Sequence, residues 1–424
     1  MRGGGPYDLA IVGGGINGAG IAADAAGRGL AVVLLERGDL AGGTSSASSK
    51  LIHGGLRYLE HGAFRLVRES LLEREVLLAR APHLIRPLRF VIPHGPGMRA
   101  RAVLRLGLFL YDHLATRRRI PASGAVDLAR DPAGRPLRGD LTSGFFYYDC
   151  AVDDARLVAT LAVDAAQRGA QILTRAPVTR IAHRGALWEL GADTATGPIT
   201  LSARALVNAA GPWCAEVAGL AQEAGHAPSL RLVRGTHVVV PRIPGADDAY
   251  LLQAEDGRVV FALPFEQDFT LIGTTEVSVS SPDQGFVPSD AEADYLLETA
   301  ARFFARKLRQ NEIVWRFAGV RPLVEDGARS ASSVSRDYRL DLVHDADGGP
   351  PALTVIGGKI TTFRRLAEAA LERLQPFFPG MAPAWTADAP LPGGDLGDGG
   401  IESFAADLVR RRPGIAREML ARLA

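Results

Sequence analysis

The sequence predicts a mixed fold in two parts. One is an α/β part with a parallel sheet, assembled from separated stretches of chain; the other is an α+β part on an antiparallel sheet. Three observations carry this. A strand–glycine–helix–strand unit opens the chain at Tyr7. Two more strand–glycine–helix junctions, at 203–213 and 353–364, lie far downstream. Residues 231–349 hold short apolar runs, THVVVP, GRVVFALPF and DFTLIGTT, with turns between them. At 424 residues the chain is too long for one ordinary core, so two or three domains are expected.

The opening unit runs in order. Tyr7 to Val12 is almost continuously apolar, as a strand buried on both faces must be. Gly13, Gly15 and Gly18 follow in G-x-G-x-x-G spacing. The first permits a tight turn, the second a close backbone approach, the third close helix–strand packing. An alanine-rich helix pattern over Ala19 to Arg28 closes at Gly29, and a second strand, Leu30 to Leu35, ends at Glu36. The helix N-terminus offers free N–H groups and a positive dipole end to a pyrophosphate. Glu36 stands where an acid accepts hydrogen bonds from both ribose hydroxyls, and it would repel a 2′-phosphate. The unit therefore suits NAD or FAD, not NADP, and does not by itself separate the first two.

Bulk properties bound the class. Hydrophobic residues are 47% and charged residues 22% of the chain, which excludes a disordered protein. A net charge of +1 argues against a nucleic-acid binder. Cys150 and Cys214 stand outside any CxxC or metal-like cluster and fit a reducing compartment. The N-terminus lacks a charged region followed by an apolar run, which argues against secretion. No run of about 18 apolar residues appears, so no transmembrane helix is expected. His61, His83 and His94 form no spacing such as HExxH, and no metal is expected.

The stretch TSSASSKLIHGGLRYLEHG, from Thr44, separates the two cofactors. Ser45, Ser46, Ser48 and Ser49 are short donors suited to phosphate and ribityl oxygens, and Gly54-Gly55 would admit a flat ring. The alternative is a solvated serine-rich loop. The later junctions weigh against it. ARALVNAAGPW ends a strand, Ala205 to Asn208, at Gly211; LTVIGGKITTFR ends one at Gly357-Gly358, with Lys359 and a helix starting near Thr361. A helix N-terminus and a lysine at one point would stabilise the negative charge of a reduced flavin.

AIVGGGINGAGIAADAAGRGL, TSSASSKLIHGGLRYLEHGAFRLV, LVNAAGPW, IGTTEV, WRFAGVRPL and VIGGKITTFRRLAE together resemble the FAD-dependent (aerobic, respiratory) glycerol-3-phosphate dehydrogenases, from about residue 7 to about residue 390. The resemblance implies a discontinuous Rossmann-like FAD-binding domain (1–80, 150–230 and 350–385). It also implies an antiparallel β-sheet cap (81–149 and 231–349), as in the FAD-dependent amino-acid oxidases. Residues 386–424 then begin a helical C-terminal region that is shortened relative to the family. The implied cofactor contacts add Ile16, Asn17, Arg37, Thr44, Lys50, Ile52, His53, Val178, Ala210, Trp213 and Thr361 to the glycines, Glu36 and serines above. Lys50 is open between the cofactor phosphates and a nearby acid.

The implied reaction is oxidation of sn-glycerol 3-phosphate to dihydroxyacetone phosphate, by hydride transfer from C2 to flavin N5, with electrons passed to a quinone. It needs a cationic phosphate clamp and a base near the flavin. Arg57, Arg321 and Lys359 are the clamp candidates, with Tyr58 as an added donor; guanidinium donates two parallel bonds to phosphate. Lys359 serves equally as a flavin stabiliser, and surface ion pairing is the alternative for either arginine. His237, heading an apolar strand, is the candidate base or else a packed core histidine. Thr274 is a candidate substrate contact.

Rival readings are an oxidase using O2, a flavoenzyme acting on an amino acid, and a non-catalytic FAD-binding module; the retained His237, Arg321 and Lys359 argue against the last. The segment 98–120 is basic at both ends and apolar between. It is either an interfacial helix against the inner face of the cytoplasmic membrane or an amphipathic helix packed on the protein. A cytoplasmic, peripheral, quinone-linked enzyme with no nucleic-acid partner is expected, and a homodimer is compatible with it.

Overall fold

The computed structural model describes residues 5–221, 228–324, 337–344, 349–397, 400–416 and 419–420. The helical C-terminal region expected over 386–424 falls partly outside them.

The first sheet has the order Arg339–Val343, Ala352–Ile356, Gly197–Asn208, Tyr7–Val12, Val32–Leu35, Gln171–Leu173. Along this order the pairs are parallel except at the antiparallel Arg339–Val343 edge, and the hairpin Val178–Arg184/Leu187–Thr194 adds antiparallel to Gly197–Asn208. Alternation along the strands divides the core. Leu9, Ile11, Val32 and Leu34 face the helices Ile16–Gly27, Asp154–Gln167 and Phe363–Leu374. Ala10, Val12, Val33 and Leu35 face Trp188 and Leu190 of the hairpin Val178–Arg184/Leu187–Thr194. Helix Ile16–Gly27 is rich in alanine and glycine because its neighbours are bulky. A Cβ on Gly20 would lie 2.8 Å from the Phe363 ring, and one on Gly27 2.2 Å from the Trp385 ring. Truncating a fully buried residue such as Leu34 to alanine costs about 2–5 kcal/mol.

The second sheet has the order Val277–Val279, Leu230–Pro241, Phe269–Gly273, Val259–Phe265, Ala249–Gln253, Ile85–His94, Ser143–Val152, Leu51–Ile52, with Trp315–Val324 added alongside Leu230–Pro241. Helix Asp290–Ala301 covers one face against Val238, Val240 and Ile272. It starts on a capping box, Ser289 with Glu292. The other face meets helices Phe64–Arg80 and Arg101–His113 and turns toward the first sheet.

The layers are drawn differently from the expected pieces. Leu51–Ile52, from the first piece, pairs with Ala151 and Cys150 in the second sheet. Arg339–Val343, from the expected cap, is the edge of the first. The strand expected at Ala205 to Asn208 runs over Gly197–Asn208, because the preceding hairpin prolongs its pairing. The helix expected near Thr361 begins at Phe363, behind the 3-10 turn Ile360–Thr362. The strand expected from Leu30 begins at Val32.

Candidate active site

A cavity of about 840 Å³ lies between the two sheets. Its first end is the Gly13–Gly18 turn. Gly13 takes φ +112°, and a Cβ there would sit 2.5 Å from the Ala209 carbonyl oxygen. A Cβ on Gly18 would sit 1.9 Å from the Gly13 carbonyl oxygen, so Gly18 serves packing and does not line the cavity. Helix Ile16–Gly27 starts at Gly15 with no side-chain cap of its own. Ser45 Oγ instead accepts from the Ile16 N–H at 2.9 Å. Glu36 lies at the rim and accepts from the N–H groups of Gly14 (2.6 Å) and Gly38 (2.8 Å). Beside it the Arg37 guanidinium lies 4.1 Å from the Trp213 ring centre. Ala210, Gly211 and Val178 complete this end.

The opening serines divide their work. Ser45, Ser48 and Ser49 line the cavity together with Thr44, whose hydroxyl donates to the Val320 carbonyl at 2.5 Å. Ser46 turns back on Gly43 (3.4 Å). Lys50 lies outside the cavity lining and pairs with buried Asp154 at 2.7 Å, the acid of its two readings. Ser48 donates to the other oxygen of Asp154 at 2.7 Å. Ile52 is wholly buried in the core. Gly54 also lies off the cavity: its N–H meets the Tyr111 hydroxyl (2.8 Å), and a Cβ would meet Leu71 and Tyr111. That glycine serves packing against helix Arg101–His113, and Gly55, at φ +80°, is the one that faces the cavity.

The cations gather around the Gly357–Lys359 loop, whose Gly357 carbonyl accepts from Asn17 Nδ2 at 3.1 Å. Gly357 and Gly358 take φ +75° and +92° and release Lys359 into the cavity, where its Nζ lies 4.0 Å from the Tyr58 ring centre. Arg57 lines the same region, with a buried Nε that has no hydrogen-bond partner among the described residues. Thr361 Oγ1 accepts from the His53 N–H at 3.2 Å, tying the two loops together. Opposite, the second sheet supplies a wall. The missing Cβ of Gly235 makes room for both Thr274 Oγ1 and Arg321 Nη2, which would lie 2.6 and 2.9 Å from it. His237 is buried, accepts from or donates to Ser49 Oγ at 2.9 Å, and stacks on Phe317 at 5.0 Å. Burial, then the charges of Arg321 and Lys50, push its pKa down to about 3. It therefore stays a neutral imidazole near pH 7.

All five candidates for substrate handling (His237, Arg321, Thr274, Arg57 and Lys359) line one cavity with Tyr58. Sequence reasoning missed Asp154, Phe317 and Gly319. Asp154 follows the true N-cap, Asp153, and an acid pair before a helix carries no mark of which one turns inward. Phe317 and Gly319 were legible, since two-residue steps from Arg321 place them on its face of the strand. Gly319 lets the Ala47 carbonyl approach to 2.9 Å of where its Cβ would be.

The cavity fits a dinucleotide with a flat ring. The helix N-terminus offers its N–H groups to the phosphates, and beside it Asn17 donates to the Gly357 carbonyl at 3.1 Å and keeps a buried Oδ1 with no partner among the described residues, while the Gly55 and Gly357-Gly358 backbones approach the cavity closely. A two-sheet frame around a site of this kind defines a flavoprotein oxidoreductase. The chain belongs to the FAD dependent oxidoreductase family, whose sequence profile matches residues 8–364. It is 50% identical over 415 residues to a D-erythritol 1-phosphate dehydrogenase of Brucella abortus, covering 97% of this chain and 82% of that one. It is 49% identical over 421 residues to a glycerol-3-phosphate dehydrogenase of Pseudomonas aeruginosa, covering 99% and 81%. Among solved structures, the glycerol-3-phosphate dehydrogenase of Bacillus halodurans complexed with FAD superposes with a TM-score of 0.76 at 28% identity, over 99% of this chain and 75% of that one.

Proposed function

We propose that this protein oxidises the C2 hydroxyl of sn-glycerol 3-phosphate to the ketone, giving dihydroxyacetone phosphate, and passes the electrons to a quinone. One observation carries the reading: a buried neutral imidazole stands in the same cavity wall as Arg321 and Thr274, with Arg57 and Lys359 lining the cavity too. FAD, when bound, supplies the two-electron hydride acceptor. Arg57, Arg321 and Lys359 bind the phosphate dianion, each charge-assisted hydrogen bond contributing roughly 1.5–3 kcal/mol. His237 accepts the hydroxyl proton, and Ser49 on its Nε2 fixes the ring's orientation. Phe317 stacked on the ring keeps water from that face. Anaerobic addition of glycerol 3-phosphate to the purified holoprotein is expected to bleach its visible flavin absorbance. An unchanged spectrum sinks the reading.

A second substrate has specific support in the Brucella abortus relative, whose name is that of a D-erythritol 1-phosphate dehydrogenase. The phosphate clamp and base would serve a four-carbon polyol phosphate in the same way. Titrating both compounds, and comparing kcat/KM, ranks the two. Peroxide yield in air against quinone reduction separates a dehydrogenase from an oxidase.

Peripheral membrane contact is supported by helix Arg101–His113. Its buried side is Leu104, Leu108 and Tyr111, yet Val103, Leu106 and Phe109 are more than half exposed. Arg101 and Arg105 on the helix, and Arg118 and Arg119 in the segment after it, are exposed. Burying each such apolar side chain contributes about 1.5–3 kcal/mol, and each arginine near an anionic surface about 1 kcal/mol. No helix among the described residues is long and apolar enough to cross a membrane. Co-sedimentation with anionic vesicles should fall sharply when Val103, Leu106 and Phe109 are all changed to serine. Equal binding by the triple variant removes this helix as the contact.

A further inference from the structure

Behind the cavity wall that holds His237, Thr274 and Arg321 stands a second row of polar residues with no contact to the cavity. Strand Leu230–Pro241 alternates. Gly235 and His237 turn toward the cavity, and Arg234 and Thr236 turn away. The turn after strand Phe269–Gly273 also alternates: Thr274 and Glu276 line the cavity, and buried Thr275 points away. The residues that turn away meet at one carboxylate. Glu292 Oε1 accepts from Thr275 Oγ1 at 2.6 Å and from Thr236 Oγ1 at 2.9 Å. Its Oε2 pairs with Arg234 Nη2 at 2.7 Å and accepts from Ser289 Oγ at 2.7 Å. Thr275 Oγ1 in turn accepts from the Thr236 N–H at 2.9 Å, closing the strand onto the turn.

We propose that Glu292 is a positioning residue. It acts through Thr236 and Thr275 to fix the spacing between His237 on one segment and Thr274 on the other. The proposal rests on the reading of these residues as the substrate wall. Two features separate it from ordinary helix capping. A capping box needs only Ser289 and the Glu292 Oε2 side, whereas Oε1 is given wholly to the two threonines. Each threonine is also the immediate neighbour of a cavity-lining residue. The carboxylate is built to stay charged. Burial pushes its pKa up, but the bonds from Thr275, Ser289 and Thr236 and the charge of Arg234 outweigh this and hold it below the usual range. Two reactive segments held by one buried anion cannot drift independently, and a misplacement of about 1 Å in such a wall costs on the order of 100-fold in rate.

The test compares Glu292→Gln with Ser289→Ala in the full-length holoprotein. Glu292→Gln weakens the tie and leaves Arg234 without its counter-charge; Ser289→Ala removes only the cap. Both are expected to lower the melting temperature. Glu292→Gln alone is expected to slow anaerobic flavin reduction by glycerol 3-phosphate on the order of 100-fold, with flavin content unchanged. It alone should also shift the ¹⁵N resonances of His237, a readout that needs no substrate. Wild-type flavin reduction and unshifted His237 resonances in Glu292→Gln overturn the proposal, as does an equal effect in Ser289→Ala. If Glu292→Gln does not fold, the paired change Thr236→Val and Thr275→Val cuts the same ties while keeping the Arg234 ion pair, and is read by the same criteria. Should the wild type fail to bleach with glycerol 3-phosphate, the substrate reading falls, and the His237 resonances alone decide the role of Glu292.

Discussion

His237 shows how a single residue acquires its chemistry from its surroundings. An exposed histidine titrates near pH 6.5, but here burial and two neighbouring cations keep the ring neutral down to about pH 3. The acid limb of kcat against pH, which reports groups in the enzyme–substrate complex, should therefore show no inflection near 6.5 from this residue, and activity should persist well below pH 5 while the fold survives. The same depression has a stability consequence. As pH falls from about 6.5 toward 3 the unfolded chain takes up a proton that the folded state refuses, so this residue withdraws stability across that window. His237→Ala should lower kcat by roughly 10²–10⁴ with flavin content retained; an unchanged kcat would remove it as the base. Lys50 makes the opposite case. Its partner Asp154 is buried, with a pKa that burial raises and Lys50 and Ser48 pull down. Lys50→Met leaves that carboxylate uncompensated and should cost about 3–5 kcal/mol in urea unfolding.

At the scale of elements, the strand–glycine–helix junctions were the most legible part of the chain. Three glycines, a helix and an acid at fixed distances leave few other structures, and Gly13, Gly15 and Glu36 line the cavity in keeping with that pattern, with Gly18 behind them in the packing. Lys359 was legible for the same reason, as the first side chain after two left-handed glycines. What the sequence concealed was direction. In TSSASSKLIHGGLRYLEHG, Ser46, Lys50, Ile52 and Gly54 turn away from the cavity while their neighbours face it. Facing and averted positions nearly alternate, with Ser48 the exception, but no alternation of polar and apolar residue types marks it, in a segment of two short 3-10 turns around a two-residue strand. The partners that decide direction, Asp154, Tyr111 and Asp149, lie some 60 to 100 positions away. Gly18→Ala tests the junction itself. The added methyl collides with the Gly13 carbonyl, and the variant should purify without flavin colour; normal flavin content would show that the turn can yield.

For the whole molecule, the decisive fact is that both sheets are stitched from the same stretches. Asp149 illustrates it. This wholly buried carboxylate accepts from Arg74 (2.6 Å), from Tyr111 (2.7 Å) and from the Gly54 N–H at 3.4 Å, joining two helices and the cavity loop to the second sheet. Burial raises its pKa, against the pull of Arg74 and Tyr111. Asp149→Asn should destabilise by about 3–5 kcal/mol and weaken flavin retention together, because the loop and the core share the anchor. Stability loss with wild-type flavin affinity would separate them.

The interleaving also sets a timetable for biosynthesis. The glycine turn is among the first segments to leave the ribosome, but its flanking strand Gly197–Asn208 and the Gly357–Lys359 loop are translated far later. At 5–20 residues per second, roughly 15–70 s separate the two ends of the cofactor's cradle. Flavin capture is therefore confined to the closing moments of translation or afterwards, and a nascent chain halted before Lys359 should emerge colourless however much FAD surrounds it.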